Sequence, residues 1–190
     1  MMQNLPWLIK HFQKVGDKIF SAQEEDLLLQ IIEKSSIAEE IVLALQLLAE
    51  DDETKILPLC QNMQRLSDLN LQILIAVLGT CESYEILQHL INFYLCCQNV
   101  VNKNLSRESI LRAKDLMSVA LLFHYKDEKI LARKEALATL LQKRGLAVLT
   151  EFLTQSQTIP FEVELRSCFG DKKIDDFLEE IEKNNKFNTL

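Results

Sequence analysis

A chain of 190 residues, 48% hydrophobic and 26% charged, can bury one substantial core without staples. Four glycines, three prolines and no sustained strand-like alternation exclude a β-rich fold, and a formal charge of −7 argues against general nucleic-acid binding. No run approaches the roughly eighteen apolar residues of a membrane span, and MMQNLPWLIKHF lacks a secretory signal's pattern, so an intracellular protein of the cytoplasm or nucleus is expected. Five cysteines without framework spacing, each within an apolar stretch, read as reduced small hydrophobes.

Apolar residues spaced by three and four mark a succession of short helices. Leu5 to Val15 places Leu8, Phe12 and Val15 on one face, with Asn4 and Gly16 as caps and Trp7 at the edge of the core. Ser21 and Glu24 form an S-x-x-E capping box ahead of Leu27, Leu28, Ile31 and Ile32; Ser36 and Glu39 repeat it ahead of Ile41, Leu45 and Leu48. Asp51 to Glu53 opens the next helix, with Ile56, Leu59 or Cys60, and Met63 as its stripe; Pro58 stands early enough to be tolerated. In LNLQILIAVL, Leu69 to Leu78, eight of ten side chains are apolar, which leaves no wide face for water and predicts the centre of the core. Tyr84 to Cys97 turns Ile86, Leu87, Leu90, Ile91 and Tyr94 inward. NVVNKN, Asn99 to Asn104, reads as a polar loop, after which Ser106 caps the longest helix, reaching about Tyr125. Asp127 to Gly145, Leu146 to Leu153, Phe161 to Phe169 and Ile174 to Ile181 complete the helices, with Thr154 to Pro160 as a turn. All four glycines fall at predicted helix ends, where a positive φ is wanted. The prediction is a single all-α domain over residues 1–184 with a frayed tail at 185–190.

LAEDDETKIL, Leu48 to Leu57, aligns without a gap on LGTCESYEIL, Leu78 to Leu87, at a spacing of 30 residues, and Leu140 to Leu149 fits the same frame about two periods on. Helix pairs at such a period stack as an α-solenoid, because no pair can bury its apolar stripe alone. These residues resemble HEAT-type repeats, in which an L-G-like step ends the first helix, an acidic turn follows, and the second helix opens on a run of the D-x-x-x-I-L-P type, which Asp52 to Leu59 matches. The resemblance covers Ile37 to Leu95 and departs from the family after Cys97, where the predicted loop and long helix break the period. The expected fold is a HEAT-like helical-repeat solenoid or an irregular multi-helix bundle of about ten short helices. The resemblance implies a protein-binding scaffold, and no functional residue carries over from it.

Charge is distributed unevenly. Phe20 to Thr54 holds ten acids against one lysine, a net of −9, whereas Val101 to Thr150 holds ten bases against five acids, a net of +5. Glu24, Glu25, Asp26, Glu39, Glu40, Glu50, Asp51 and Asp52 are the candidate contact ridge for a basic partner segment or helix. Arg107, Arg112, Lys114, Lys126, Lys129, Arg133 and Lys134 are a secondary basic face for an acidic partner or a phosphate backbone. No glycine-rich phosphate loop, H-E-x-x-H, paired C-x-x-C or G-x-S-x-G is present. His89, Cys96 and Cys97 lie close enough in sequence to suggest a metal, but adjacent cysteines on a helix diverge by about 100°, which favours packing. His124 reads as a helix-end histidine on the last carbonyls, and His11 as the edge of an amphipathic helix. The expectation is therefore a non-catalytic protein-interaction module, an adaptor or scaffold, or alternatively a structural or chaperone-like subunit of a larger assembly, ahead of a helical-repeat enzyme or a nucleic-acid-binding module. No cofactor, metal, membrane or small-molecule ligand is expected.

Overall fold

The computed structural model describes residues 5–12, 20–150, 152 and 161–187. Among them the chain is all helix and turn, with no strand, and none of its helices is long and apolar enough to cross a membrane. The chain divides into two compact units, Met1–Ala113 and Lys114–Leu190. Gly16 and the Thr154 to Pro160 turn lie outside the described residues.

The first unit contains α1 (Leu5–Phe12), α2 (Ala22–Lys34), α3 (Ala38–Asp51), α4 (Leu57–Gln61), α5 (Asp68–Leu78), α6 (Tyr84–Cys96) and α7 (Val100–Arg112), with 3-10 turns at Glu53–Ile56 and Met63–Arg65 flanking α4. Alternate helices touch: α1 on α3, α3 on α5, α5 on α7, and α4 on α6. Contact between alternate helices in these four pairs is compatible with a helical repeat. Leu28, Ile32, Ile41, Leu45, Leu48, Ile56, Leu74, Ile75, Leu78, Ile86 and Leu90 are fully buried, so the predicted stripes face the core. Leu27 does not; it is exposed at the side of α2.

Three polar links join positions about one period apart. The Lys55 ammonium pairs with the carboxylates of Glu25, thirty residues earlier, and Asp51. The Glu53 carboxylate accepts from the backbone amides of Glu82 and Ser83 at 2.8 and 2.7 Å, and Gln72 Nε2 donates to Asn102 Oδ1 at 3.4 Å. The Glu53 link solves a local problem: Ser83 is the N-cap of α6 and its own side chain makes no capping bond. A carboxylate from the preceding pair supplies the acceptor that the free amides of a helix start require, with charge of the favourable sign.

Helix α5 is central, as its composition predicts, but not buried all round. Leu71, Leu74, Ile75 and Leu78 are buried while Leu69 and Ala76 are exposed. Its most constrained residue is polar. Asn70 is 1% exposed, and its Nδ2 donates to the carbonyls of Ile32 at 2.6 Å and Ser35 at 3.2 Å, satisfying carbonyls that the end of α2 leaves free. The Ser21–Glu24 capping box is present in full. The Ser36–Glu39 box does not form: α3 is capped at Ile37, and Ser35 takes the role, its hydroxyl accepting from Ile37 N and donating to Glu40.

The largest departure from the sequence reading follows Cys97. NVVNKN is no loop but the start of α7, with the Asn99 side chain accepting from Asn102 N at 3.1 Å as the cap. Ser106 lies inside this helix and donates to Asn102 O at 2.8 Å. The buried face of α7 is Asn102, Ser106, Ser109 and Ile110, of which only the last is a large apolar residue, so no apolar periodicity is left to read. Their smallness permits close approach: a Cβ on Gly79 would meet Ser109 Cβ and the Ser109 carbonyl oxygen at 2.9 Å. Gly79 has φ −68, so the space rather than a positive φ demands glycine here; at Gly145 and Gly170, with φ 84 and 85, the backbone demands it.

The second unit contains α8 (Leu116–Asp127), α9 (Leu131–Arg144), a 3-10 turn at Ala147–Leu149, α10 (Glu162–Phe169) and α11 (Asp171–Phe187). The long helix expected to reach Tyr125 is broken at Ala113 to Asp115, and Asp127 ends α8 rather than opening α9. The backbone is helical through Phe187, into the stretch expected to fray. Met117, Leu121, Leu122, Leu137, Leu140, Leu141 and Leu149 form the core of this unit, with Leu165, Cys168 and Ile174. Arg144 ties α9 to the start of α8, donating from Nε to Ser118 Oγ at 2.6 Å and from a terminal nitrogen to Lys114 O at 2.7 Å. Phe123 stacks edge-on against Phe161 at 4.8 Å between centroids.

Gly79→Ala tests the close approach of α7. Because one contact is a backbone carbonyl, relief requires a helix shift, and urea unfolding is expected to show a loss of about 1–3 kcal/mol. Adding Ser109→Gly recovers only part of that loss, since the carbonyl remains.

Candidate functional site

A groove of about 730 Å³ runs along the first unit, within the size range of ligand sites. One wall is the irregular segment from Cys60 to Leu66. Pro58 at the start of α4 and the non-helical Asn62, φ −114 and ψ 17, limit that helix to five residues, and the chain then turns extended at Leu66. The opposite wall is α6, where His89, Asn92, Phe93 and Cys96 fall at helical spacing on one face, continued by Cys97 to Asn99. The beginnings of α5 and α7 contribute Asp68, Leu71 and Asn102.

The lining is dominated by amides. Seven of its seventeen residues are Asn or Gln, against one arginine and one aspartate. Three of the amides are structural: Asn62 donates to Pro58 O at 2.9 Å, Asn99 caps α7, and Asn102 accepts from Gln72. Gln61, Gln64, Asn92 and Gln98 are exposed and make no hydrogen bond among the described residues. Compared with family models, curated proteins and solved structures, the chain matches none.

The acidic ridge is largely committed inside the fold. Glu40 is 2% exposed, which removes it from any contact surface, and its carboxylate accepts the Ser35 hydroxyl at 2.7 Å. Glu24 completes the Ser21 capping box; Glu25 and Asp51 share Lys55, whose ammonium is stabilised first by Asp51 and then by Glu25, raising its pKa. Asp52 accepts from the backbone and hydroxyl of Thr54, both at 2.8 Å, which holds its carboxyl below the ordinary value. Asp26, Glu39 and Glu50 are exposed.

The basic residues are divided between the units. Arg107 and Arg112 belong to the first; Arg107 pairs with Glu108 at 3.1 Å and Arg112 is exposed. In the second, Lys126 lies 5.0 Å from the Phe161 ring centroid and Lys134 4.7 Å from that of Tyr125. Lys114 and Lys129 are exposed and Arg133 is half-buried.

Burial pushes the thiols of Cys60 and Cys81 up to about 12 and that of Cys168 to about 11, so all three remain protonated hydrophobes at neutral pH. Cys96 and Cys97 depart from that reading. Cys96 is exposed, and Cys97 is half-buried with its thiol 3.5 Å from Asn99 O. With His89 they line the groove, yet no trio of His, Cys, Asp or Glu among the described residues is placed to hold a metal ion. Six of the seven groove amides fall in two sequence clusters, QNMQ at 61–64 and QNVVN at 98–102, and Asn92 stands alone between them, but only the fold brings them to one place.

His124 does not hold the last carbonyls of α8 through Nε2, which is buried without a partner among the described residues. The His11 side chain lies outside the described residues. Burial depresses the His124 pKa against the opposing pull of Glu128 and Asp127, so the fold favours the neutral ring. The unfolded chain takes up the proton first, near pH 6.5, so the stability from a neutral ring is present above that pH and lost as pH falls through it. His124→Leu is expected to flatten the fall in stability between about pH 7 and 5, by no more than about 1.4 kcal/mol per pH unit in urea titrations. An unchanged slope would show that the ring does not govern it.

Proposed function

We propose that the chain is a non-catalytic protein-interaction module, an adaptor or scaffold with a HEAT-like repeat in its first unit, whose contact surface is the amide-lined groove. The observation that carries this reading is the set of four exposed amides converging on one groove with their hydrogen-bonding capacity unused. Amide side chains present a donor and an acceptor together, which suits selective capture, and they carry no charge that could activate a nucleophile or hold a phosphate. The ridge is a weaker candidate surface, because five of its eight carboxylates already serve caps, ion pairs or a buried bond. Five free thiols agree with an intracellular setting, in the cytoplasm or nucleus.

A second reading, a structural subunit of a larger assembly, is favoured by apolar residues left in water. Val100 and Val101, 71% and 62% exposed in the first turn of α7, stand beside the groove residues Asn99 and Asn102. Both readings place a protein partner on this side of the first unit.

A photo-crosslinking residue at Asn92 separates the groove from the ridge. The expected outcome is a partner crosslinked from position 92 in its own cells, with recovery reduced roughly tenfold by filling the groove in Gln64→Trp. Reversing Asp26, Glu39 and Glu50 to Lys is expected to leave that recovery unchanged. Capture that survives the blocked groove and fails with the reversed ridge would move the contact to the acidic face.

A further inference from the structure

We infer that the groove takes an extended, uncharged stretch of polypeptide and holds it by its main chain; this rests on the interaction reading above and names the occupant. Every peptide group offers one N–H and one C=O, and an Asn or Gln amide offers the complementary pair in one plane. Gln61 and Gln64, from the segment around α4, and Asn92 and Gln98, from α6 and the residues that follow it, line the same groove, and none of the four side chains makes a hydrogen bond among the described residues.

The same chemistry excludes other occupants. A helix satisfies its peptide groups internally and could meet the groove amides only through its polar side chains. An extended chain has free peptide groups, and those pointing one way recur every ~6.7 Å. The charged lining is Arg65, Asp68 and the ionisable His89, so a dense run of either sign would find too few opposite charges, and a phosphate backbone too few cations. Met63 and Leu71, buried, and Phe93, half-buried, supply an apolar floor for side chains of alternate residues. The occupant is thus a strand of small or apolar residues, recognised with broad sequence tolerance.

The test uses the full chain and a displayed library of uncharged octapeptides built from Ala, Ser, Thr, Val, Leu and Gln. Selected binders are measured by fluorescence polarisation beside copies carrying N-methyl groups on alternate peptide nitrogens. One of the two alternating sets is expected to lose affinity roughly tenfold or more, the other little, and rising salt is expected to change neither greatly. The Asn92→Ala, Gln98→Ala double variant, with wild-type helicity and melting temperature, is expected to weaken binding by roughly five- to a hundredfold. A library without binders, binders indifferent to N-methylation, or tight salt-sensitive binding of an oligothymidylate probe to the same groove would each overturn the inference. A natural partner crosslinked at position 92 but indifferent to that double variant would leave the interaction reading standing while ending this one. No groove-dependent crosslink at all would end both.

Discussion

The carboxylate of Glu53 is the contact on which the first unit's regularity depends. It leaves the 3-10 turn ahead of α4 and accepts two backbone amides at the start of α6, a helix whose own cap makes no side-chain bond. A helix start exposes donors that must be satisfied, and Glu53 supplies the acceptor for the N-cap amide of Ser83 and for that of Glu82 before it. Lys55 reaching back to Glu25 and Gln72 reaching forward to Asn102 make the neighbouring links at a separation of thirty. Apolar burial drives the helices together without direction, whereas hydrogen bonds to fixed backbone groups set the register in which they meet. Of the acids that form a conspicuous run in the sequence, Glu25 and Glu53 take part in these links, while Glu24, Glu40 and Asp52 make local bonds.

How much of this was legible follows from what a sequence pattern reports. Helices with an apolar stripe were read correctly, down to Ile86, Leu87, Leu90, Ile91 and Tyr94 on α6, because burial of large hydrophobes leaves a period. Helix α7 was missed for the converse reason: it packs through Asn102, Ser106 and Ser109 against a glycine, and small polar residues leave no such period. The contact of alternate helices thereby continues one helix beyond Cys97, α5 touching α7. Capping was legible where it is local, as with Ser21 and Glu24, and illegible where the acceptor comes from thirty residues away. Asn70, one of the two polar residues of LNLQILIAVL, is the bond between α5 and the end of α2.

The site was harder to read than the fold. Charge patterning drew attention to an acidic ridge, but a carboxylate count does not distinguish acids facing water from acids engaged with Lys55, Thr54 or Ser35. Amides carry no comparable signal, and their two clusters are separated by more than thirty residues until α6 folds beside the segment after α4. The shortness of α4, set by Pro58 and Asn62, opens the groove, so one irregularity in the repeat creates the concave surface that a regular stack of helices would have filled.

The most direct test of this account is amide hydrogen exchange by NMR at Glu82 and Ser83, in the wild type and in Glu53→Ala. The account predicts that both amides are protected in the wild type and that the substitution strips their protection while residues deeper in α6, such as Leu90, keep theirs. Equal exchange at Glu82 and Ser83 in the two proteins would contradict it and show that the repeats keep their register by apolar packing alone.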